Sequence, residues 1–163
     1  MIVDGKISDN PLSIANAFND FFVSSAKNPN FKFDRASFDY LKPKSYRLSF
    51  NSVNLSDVHK AIDKLKSKKS AGHDDISNWL IKSCKMEISP CLVHYINFSL
   101  ASSTFPSPLK IVKVSPLFKK GNMYELKNYR PLSLVSSLSK VFENVVFRKI
   151  EDYVTENNIL HDM

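Results

Sequence analysis

The chain has 163 residues, 43% hydrophobic and 24% charged, and its 23 Lys and Arg against 16 Asp and Glu give a formal charge of +7 and a pI near 9.4. That size and apolar content suffice for a compact core, while three Gly and eight Pro exclude a fibrous or glycine-rich flexible protein. The positive balance favours polyanionic partners, nucleic acid first, although charge alone leaves function open.

In chain order, Asn10 and Pro11 followed by Ile14, Phe18, Phe21 and Phe22 predict an amphipathic helix over 11–26. Residues 27–54 keep no sustained period and read as linker, with a weak strand at Tyr46–Phe50. Ser56 as N-cap, Asp57 in the first turn, and Val58, Ile62 and Leu65 on one face predict a helix over 56–67. A basic run, Lys66-Ser67-Lys68-Lys69-Ser70, then enters the polar loop Ala71-Gly72-His73-Asp74-Asp75, which can face a phosphate or be a solvated helix end.

Ile76, Leu80, Ile81 and Cys84 suggest another helix, and Ser89-Pro90 reads as the cap of one carrying Leu92, Val93, Ile96 and Leu100. After Phe105-Pro106-Ser107-Pro108, the run Ile111 to Phe118 reads as an edge strand, because Pro116 is tolerated only there or at a bulge. Lys119-Lys120-Gly121-Asn122 is its turn, and Leu132–Val135 returns as the second strand of a hairpin. The segment 137–157, with Leu138, Val141, Phe142, Val145, Val146, Ile150, Tyr153 and Val154 at helical spacing, carries the strongest helical pattern. Trp79 reads as core or half-buried, and Cys84 and Cys91, with no CxxC, as buried reduced thiols. The N-terminus lacks a signal-peptide pattern and no stretch approaches about eighteen apolar residues, so an intracellular location, cytoplasm or nucleus, is expected.

Several short blocks stand in a telling order: Lys66 to Ile76, Phe105-Pro106, Val114 to Gly121, Asn128-Tyr129-Arg130-Pro131-Leu132-Ser133-Leu134, and Ser139-Lys140-Val141-Phe142-Glu143. Together they resemble the reverse transcriptases of non-LTR, LINE-type retrotransposons, and Ile14 to Asn19 with Phe22 is similar to the segment preceding the fingers in jockey-like elements. The chain departs from that pattern in three places. His73 and Asp75 stand within the family's Gly-Pro-Asp-Gly, Leu109 stands where a Trp is usual, and the Gln-Phe-Gly-Phe-Arg block expected soon after Leu160 is absent before Met163.

The resemblance implies an RNA-directed DNA polymerase that uses an RNA template, a DNA primer, deoxynucleotides and Mg²⁺ held by paired palm aspartates. It further implies that this chain is a partial fingers region over 55–163, preceded by a helix and linker over 1–54, and truncated before the palm. Such a fragment is expected to be catalytically inactive and to bind no metal. Asp74-Asp75 is the only adjacent aspartate pair, and it reads as a capping segment because neighbouring side chains on a regular element diverge. In the family a Lys and an Arg of the fingers hairpin hold the nucleotide's triphosphate, and the matching residues are Arg130, Lys119 and Lys120. Lys110 and Lys113 flank the strand and can touch template backbone, while Asn128 and Tyr129 more readily fix the loop than contact substrate. The expected fold is α+β, mostly helical with a small antiparallel hairpin, as an incomplete fingers subdomain of a right-hand polymerase. The alternative from another class is a non-catalytic basic helical module that binds nucleic acid or a protein partner.

Overall fold

The structure, a computed structural model, describes residues 1–3, 5–26 and 52–157. The expected strand at Tyr46–Phe50 lies outside those residues. The chain divides into two compact units, one of residues 1–46 and 114–132, the other of residues 47–113 and 133–163.

In the first unit, β1 (Ile2–Val3) and β2 (Lys6–Ile7) form an antiparallel pair with Ile2 opposite Ile7. Two-residue strands carry no detectable alternation, so this pair was invisible to periodicity. Helix α1 spans Pro11–Ala26, with the Asn10 side chain accepting from the N–H groups of Leu12 and Ser13 at 2.9 and 3.1 Å, as the Asn-Pro start predicts. Phe18 is buried, and its ring meets Phe22 at 5.7 Å and the edge of Tyr129 at 5.0 Å.

The second unit holds α2 (Leu55–Lys64), α3 (Asn78–Ser83), α4 (Lys85–Ala101) and α5 (Ser137–Glu156). Its core is Val53, Val58, Ala61, Ile62, Ile81, Ile96, Val141, Phe142 and Val145, with Phe105 set edge-on against Phe142 at 5.0 Å. The predicted apolar face of α2 and the first half of that of α5 are therefore buried, whereas Ile150, further along α5, is exposed. Each fully buried Val or Ile contributes about 1.5–3 kcal/mol. Asn97 of α4 ties the entry to α2 in place, accepting from the Val53 N–H at 2.8 Å and donating to its carbonyl at 2.9 Å.

Several local expectations change. The cap of α2 is Asn54 rather than Ser56, because Asn54 and Asp57 satisfy each other's backbone N–H in a reciprocal box that a Ser56 start would forfeit. Pro90 lies inside α4 instead of opening a helix. Both Pro90 and Met86 are exposed, so solvent can make up the missing bond. Helix α3 begins only at Asn78, capped by Ser77, whose Oγ accepts from Leu80 N–H at 3.2 Å. Trp79 is 53% exposed, because Ile81 takes the inward position of this short helix. Cys91 is exposed and Cys84 half-buried, both unbridged.

The loop before α3 is locked onto the start of α5. Gly72 is buried and its α-carbon faces the Val135–Ser136 backbone so closely that a Cβ would lie 2.9 Å from Ser136 N and Cα. The Ser136 hydroxyl donates to Asp74 Oδ2 at 2.6 Å, while Asp74 Oδ1 accepts from the Ile76 N–H at 3.2 Å. Ser137 Oγ stands 2.8 Å from both the Ile76 carbonyl and Asn78 Oδ1. Two blocks about sixty residues apart in sequence thus meet through short polar side chains, with bonds spanning 62, 61 and 59 positions. Asp74 does act as a local cap, but of the turn before Ile76 rather than of a helix.

Strands β3 (Val112–Phe118) and β4 (Tyr129–Val135) pair antiparallel in a two-stranded sheet. Both are edge strands, which is why Pro116 is tolerated. The return strand begins three residues earlier than expected, at Tyr129 rather than Leu132. The observed class is α+β, mostly helical with two small antiparallel pairs. Among the described residues no helix is long and apolar enough to cross a membrane.

Candidate nucleic-acid interface

The hairpin tip in the first unit is built by backbone chemistry. Lys119 N–H donates to the Asn128 carbonyl at 2.9 Å, closing the ladder beyond β3. Gly121 takes a φ of 95°, which favours glycine, and a Cβ there would displace the Asn128 side-chain amide that it would meet at 2.9 Å. Asn128 Nδ2 donates to the Asn122 carbonyl at 2.8 Å, and the Tyr129 hydroxyl donates to the Met123 carbonyl at 2.9 Å. Asn128 and Tyr129 thus fix the loop, as their residue types imply.

The aromatic rings set the facing of Arg130. Phe118 and Tyr129 meet at 5.3 Å, so they share one face of the hairpin. Side chains alternate along a strand, which directs Arg130 to the face opposite these rings, while Lys119 follows directly on the last residue of β3. Lys119, Lys120 and Arg130 are all exposed, and none joins an ion pair among the described residues. Arg130 offers a planar fork for phosphate oxygens and Lys119 a mobile charge. Lys120 sits in the turn itself.

Lys110 and Lys113 are also exposed but belong to the second unit. Lys110 closes a 3₁₀ turn (Ser107–Lys110), and Lys113 lies inside β3 rather than at its flank.

The sequence pattern did not reveal a second cationic cluster, formed in the second unit where Lys64, Lys66, Lys68 and Lys140 line a groove of about 590 Å³ with Asn78, Glu143, Asn144 and Phe147. The run at Lys66 was visible as a basic segment, but its meeting with α5 was not. Other lysines nearby are engaged structurally. Lys82 Nζ donates to the carbonyls of Asp63 and Leu65 at 3.1 and 2.9 Å, Lys149 pairs with Asp57 at 3.1 Å, and Lys85 reaches both Asp63 oxygens at 2.9 Å. The Lys85 ammonium hydrogen bond holds the Asp63 carboxyl below its usual range.

No acidic cluster of the described residues has the make-up of a metal site. Asp74, the first of the adjacent aspartates, has one oxygen on Ser136 and the other on the Ile76 N–H. Asp75 has the left-handed φ of 54°. Asp74 is thus a structural pin, and with both its oxygens engaged the pair does not fit a Mg²⁺ cradle.

No family model matches the chain. Comparison with curated proteins gives 31% identity over 121 residues, 74% of this chain, to the probable RNA-directed DNA polymerase from transposon BS of Drosophila melanogaster. It is 29% identical over 109 residues, 66% of the chain, to the RNA-directed DNA polymerase from mobile element jockey of Drosophila funebris. A third relative, the probable RNA-directed DNA polymerase from transposon X-element of Drosophila melanogaster, is 30% identical over 95 residues, or 58% of the chain. These matches span only 13%, 12% and 10% of the respective relatives.

Proposed function

Because this chain is a relative of the RNA-directed DNA polymerases of jockey-like non-LTR retrotransposons, we propose that it is the fingers-side segment of such an enzyme. In this reading residues 55–163 are the partial fingers region and residues 1–54 the helix and linker upstream of it. Arg130, with Lys119 and Lys120, takes the triphosphate of the incoming deoxynucleotide, and Lys110 and Lys113 lie along the backbone of the RNA template or DNA primer. The observation that supports the reading is the ring contact between Phe118 and Tyr129, from which we infer a shared hairpin face for Lys119 and Arg130. The exposure of Val114, Leu117, Phe118 and Leu132 on the same hairpin adds support, since the family's fingers pack against a palm.

Nucleotidyl transfer in such enzymes draws on Mg²⁺ to activate the attacking and leaving oxygens. Among the described residues no acidic group has the make-up for that role, so in this reading the segment positions nucleotide and strand while the palm supplies the chemistry. We expect the purified chain to extend no primer with any template, deoxynucleotide and Mg²⁺, and the same segment joined to an intact palm of a jockey-type relative to support extension. Incorporation by the isolated chain that survives repurification would overturn the reading.

A further inference from the structure

We propose that the outward face of α4 is a self-association surface on which two copies of this chain meet about a two-fold axis, with Phe98 of each copy entering an apolar cavity of the other. The proposal uses none of the residues assigned above to nucleotide, template or primer.

Charge is spread unevenly along this basic sequence. The chain has 23 Lys and Arg and a net charge of +7, yet no Lys or Arg lies between Lys85 and Lys110, and Glu87 is the only carboxylate there. That stretch is α4 with the turn that follows it. Its outward side is apolar as well as poor in charge. Cys91, Tyr95 and Phe98 recur at intervals of four and three and so share one stripe of the helix. Cys91 is exposed, Tyr95 is 41% exposed and Phe98 67%. Exposed aromatic rings without charged neighbours are the make-up of an interface core, whereas a solvated helix face carries Lys and Glu. A polyanion or an anionic lipid surface would be met through lysines, which this face lacks. Two copies of a chain with this net charge repel each other where their lysines face, and here they can approach without bringing lysines together.

Beside the stripe lies a cavity of about 190 Å³, lined by Leu92, Tyr95 and Ile96 of α4 with Leu109, Leu138 and Phe142. Apolar cavities of about 150 Å³ take up benzene, so both the volume and the lining suit one phenyl ring. Tyr95 belongs to the stripe and to the cavity wall, which places the protruding Phe98 within one helical turn of a hole of its own size. A face that carries both is complementary to itself. An isologous contact seats two rings in two cavities and closes at two copies.

Sedimentation equilibrium of the full chain, treated with nuclease and kept reduced so that Cys91 forms no bridge, tests the proposal. A dimer is expected, its fraction rising between about 1 and 100 µM as befits a small interface, and high salt should leave it intact or tighten it. Phe98→Lys removes the ring and Leu109→Trp fills the cavity, and each is expected to weaken association by about tenfold or more. Trp79→Lys, at a ring 53% exposed on α3, adds the same charge elsewhere and is expected to change it less than about twofold. A mixture of the Phe98→Lys and Leu109→Trp chains restores one matched ring and cavity, so it should associate more tightly than either variant alone. Circular dichroism checks that each variant folds. A monomer at the highest concentration, assembly that continues past two copies, or a dimer lost at high salt would overturn the proposal. So would equal losses for Phe98→Lys and Trp79→Lys, or a mixture no tighter than its components. None of these outcomes bears on nucleotide use through Arg130.

Discussion

Replacing Ile62 by alanine is expected to lower the stability of the second unit by about 2–5 kcal/mol. Ile62 has no solvent exposure and sits among Val58, Ala61, Ile96, Val141 and Val145, where α2 meets α4 and α5. Removing three carbons there leaves a hole that three helices would have to close together, and the capping box at Asn54 and the Asn97–Val53 bonds oppose such a shift. Urea unfolding followed at the helical circular dichroism band measures it. Leu12→Ala, at a side chain 71% exposed, provides the contrast and is expected to change stability by about 0.5 kcal/mol or less. Similar midpoints for the two variants would mean that the helical core is not where the packing places it.

Gly72→Ala is the second large effect, expected to cost about 1–3 kcal/mol or more, because the new methyl group meets backbone rather than a side chain that could swing away. The atoms in its path, Ser136 N and Cα and Val135 C, belong to the turn that launches α5, so relief would have to move that helix start. Any such movement would also pull Ser136 from Asp74 and Ser137 from Ile76. Gly5 separates this steric cause from backbone preference. Its φ is 76° with nothing within 4 Å of a built Cβ, so Gly5→Ala is expected to cost only about 1 kcal/mol through conformation. Denaturation of the two variants side by side checks the ordering, which reverses if the Gly72 approach is not close.

Much of the fold was legible from spacing. Helix α1 follows from Asn10-Pro11, α2 and α5 from apolar residues every three or four positions, and the β3–β4 hairpin from a β-branched run ending at Lys119-Lys120-Gly121. Periodicity gave no means of choosing between Asn54 and Ser56 as the cap, since that depends on which one Asp57 can answer. Nor could it place Trp79, whose ring is outward because a six-residue helix has one buried face and Ile81 holds it. The embrace of Gly72 and Asp74 by Ser136 and Ser137 is a long-range contact between short polar side chains, and such residues carry no hydrophobic signal.

The candidate site divides in the same way. Arg130, Lys119 and Lys120 came from the order of motifs, but the common face inferred for Lys119 and Arg130 depends on a register that only the Phe118–Tyr129 and Lys119–Asn128 contacts fix. The groove lysines came from opposite ends of the second unit's sequence, Lys64 to Lys68 before α3 and Lys140 in α5. One basic run was visible, but not its partner.

The proposed contact of Arg130 with the nucleotide's phosphates is tested by steady-state incorporation with the palm-joined segment, titrated with deoxynucleotide. Arg130→Ala is expected to raise the nucleotide KM at least tenfold, because charge-assisted hydrogen bonds contribute about 1.5–3 kcal/mol each. Arg130→Lys should recover only part of that loss, since a point charge cannot reproduce a two-pronged contact. Lys6→Ala, at an exposed lysine on β2, should leave the KM within about twofold. An Arg130→Ala enzyme with unchanged nucleotide dependence, or one no worse than Lys6→Ala, would contradict the assignment.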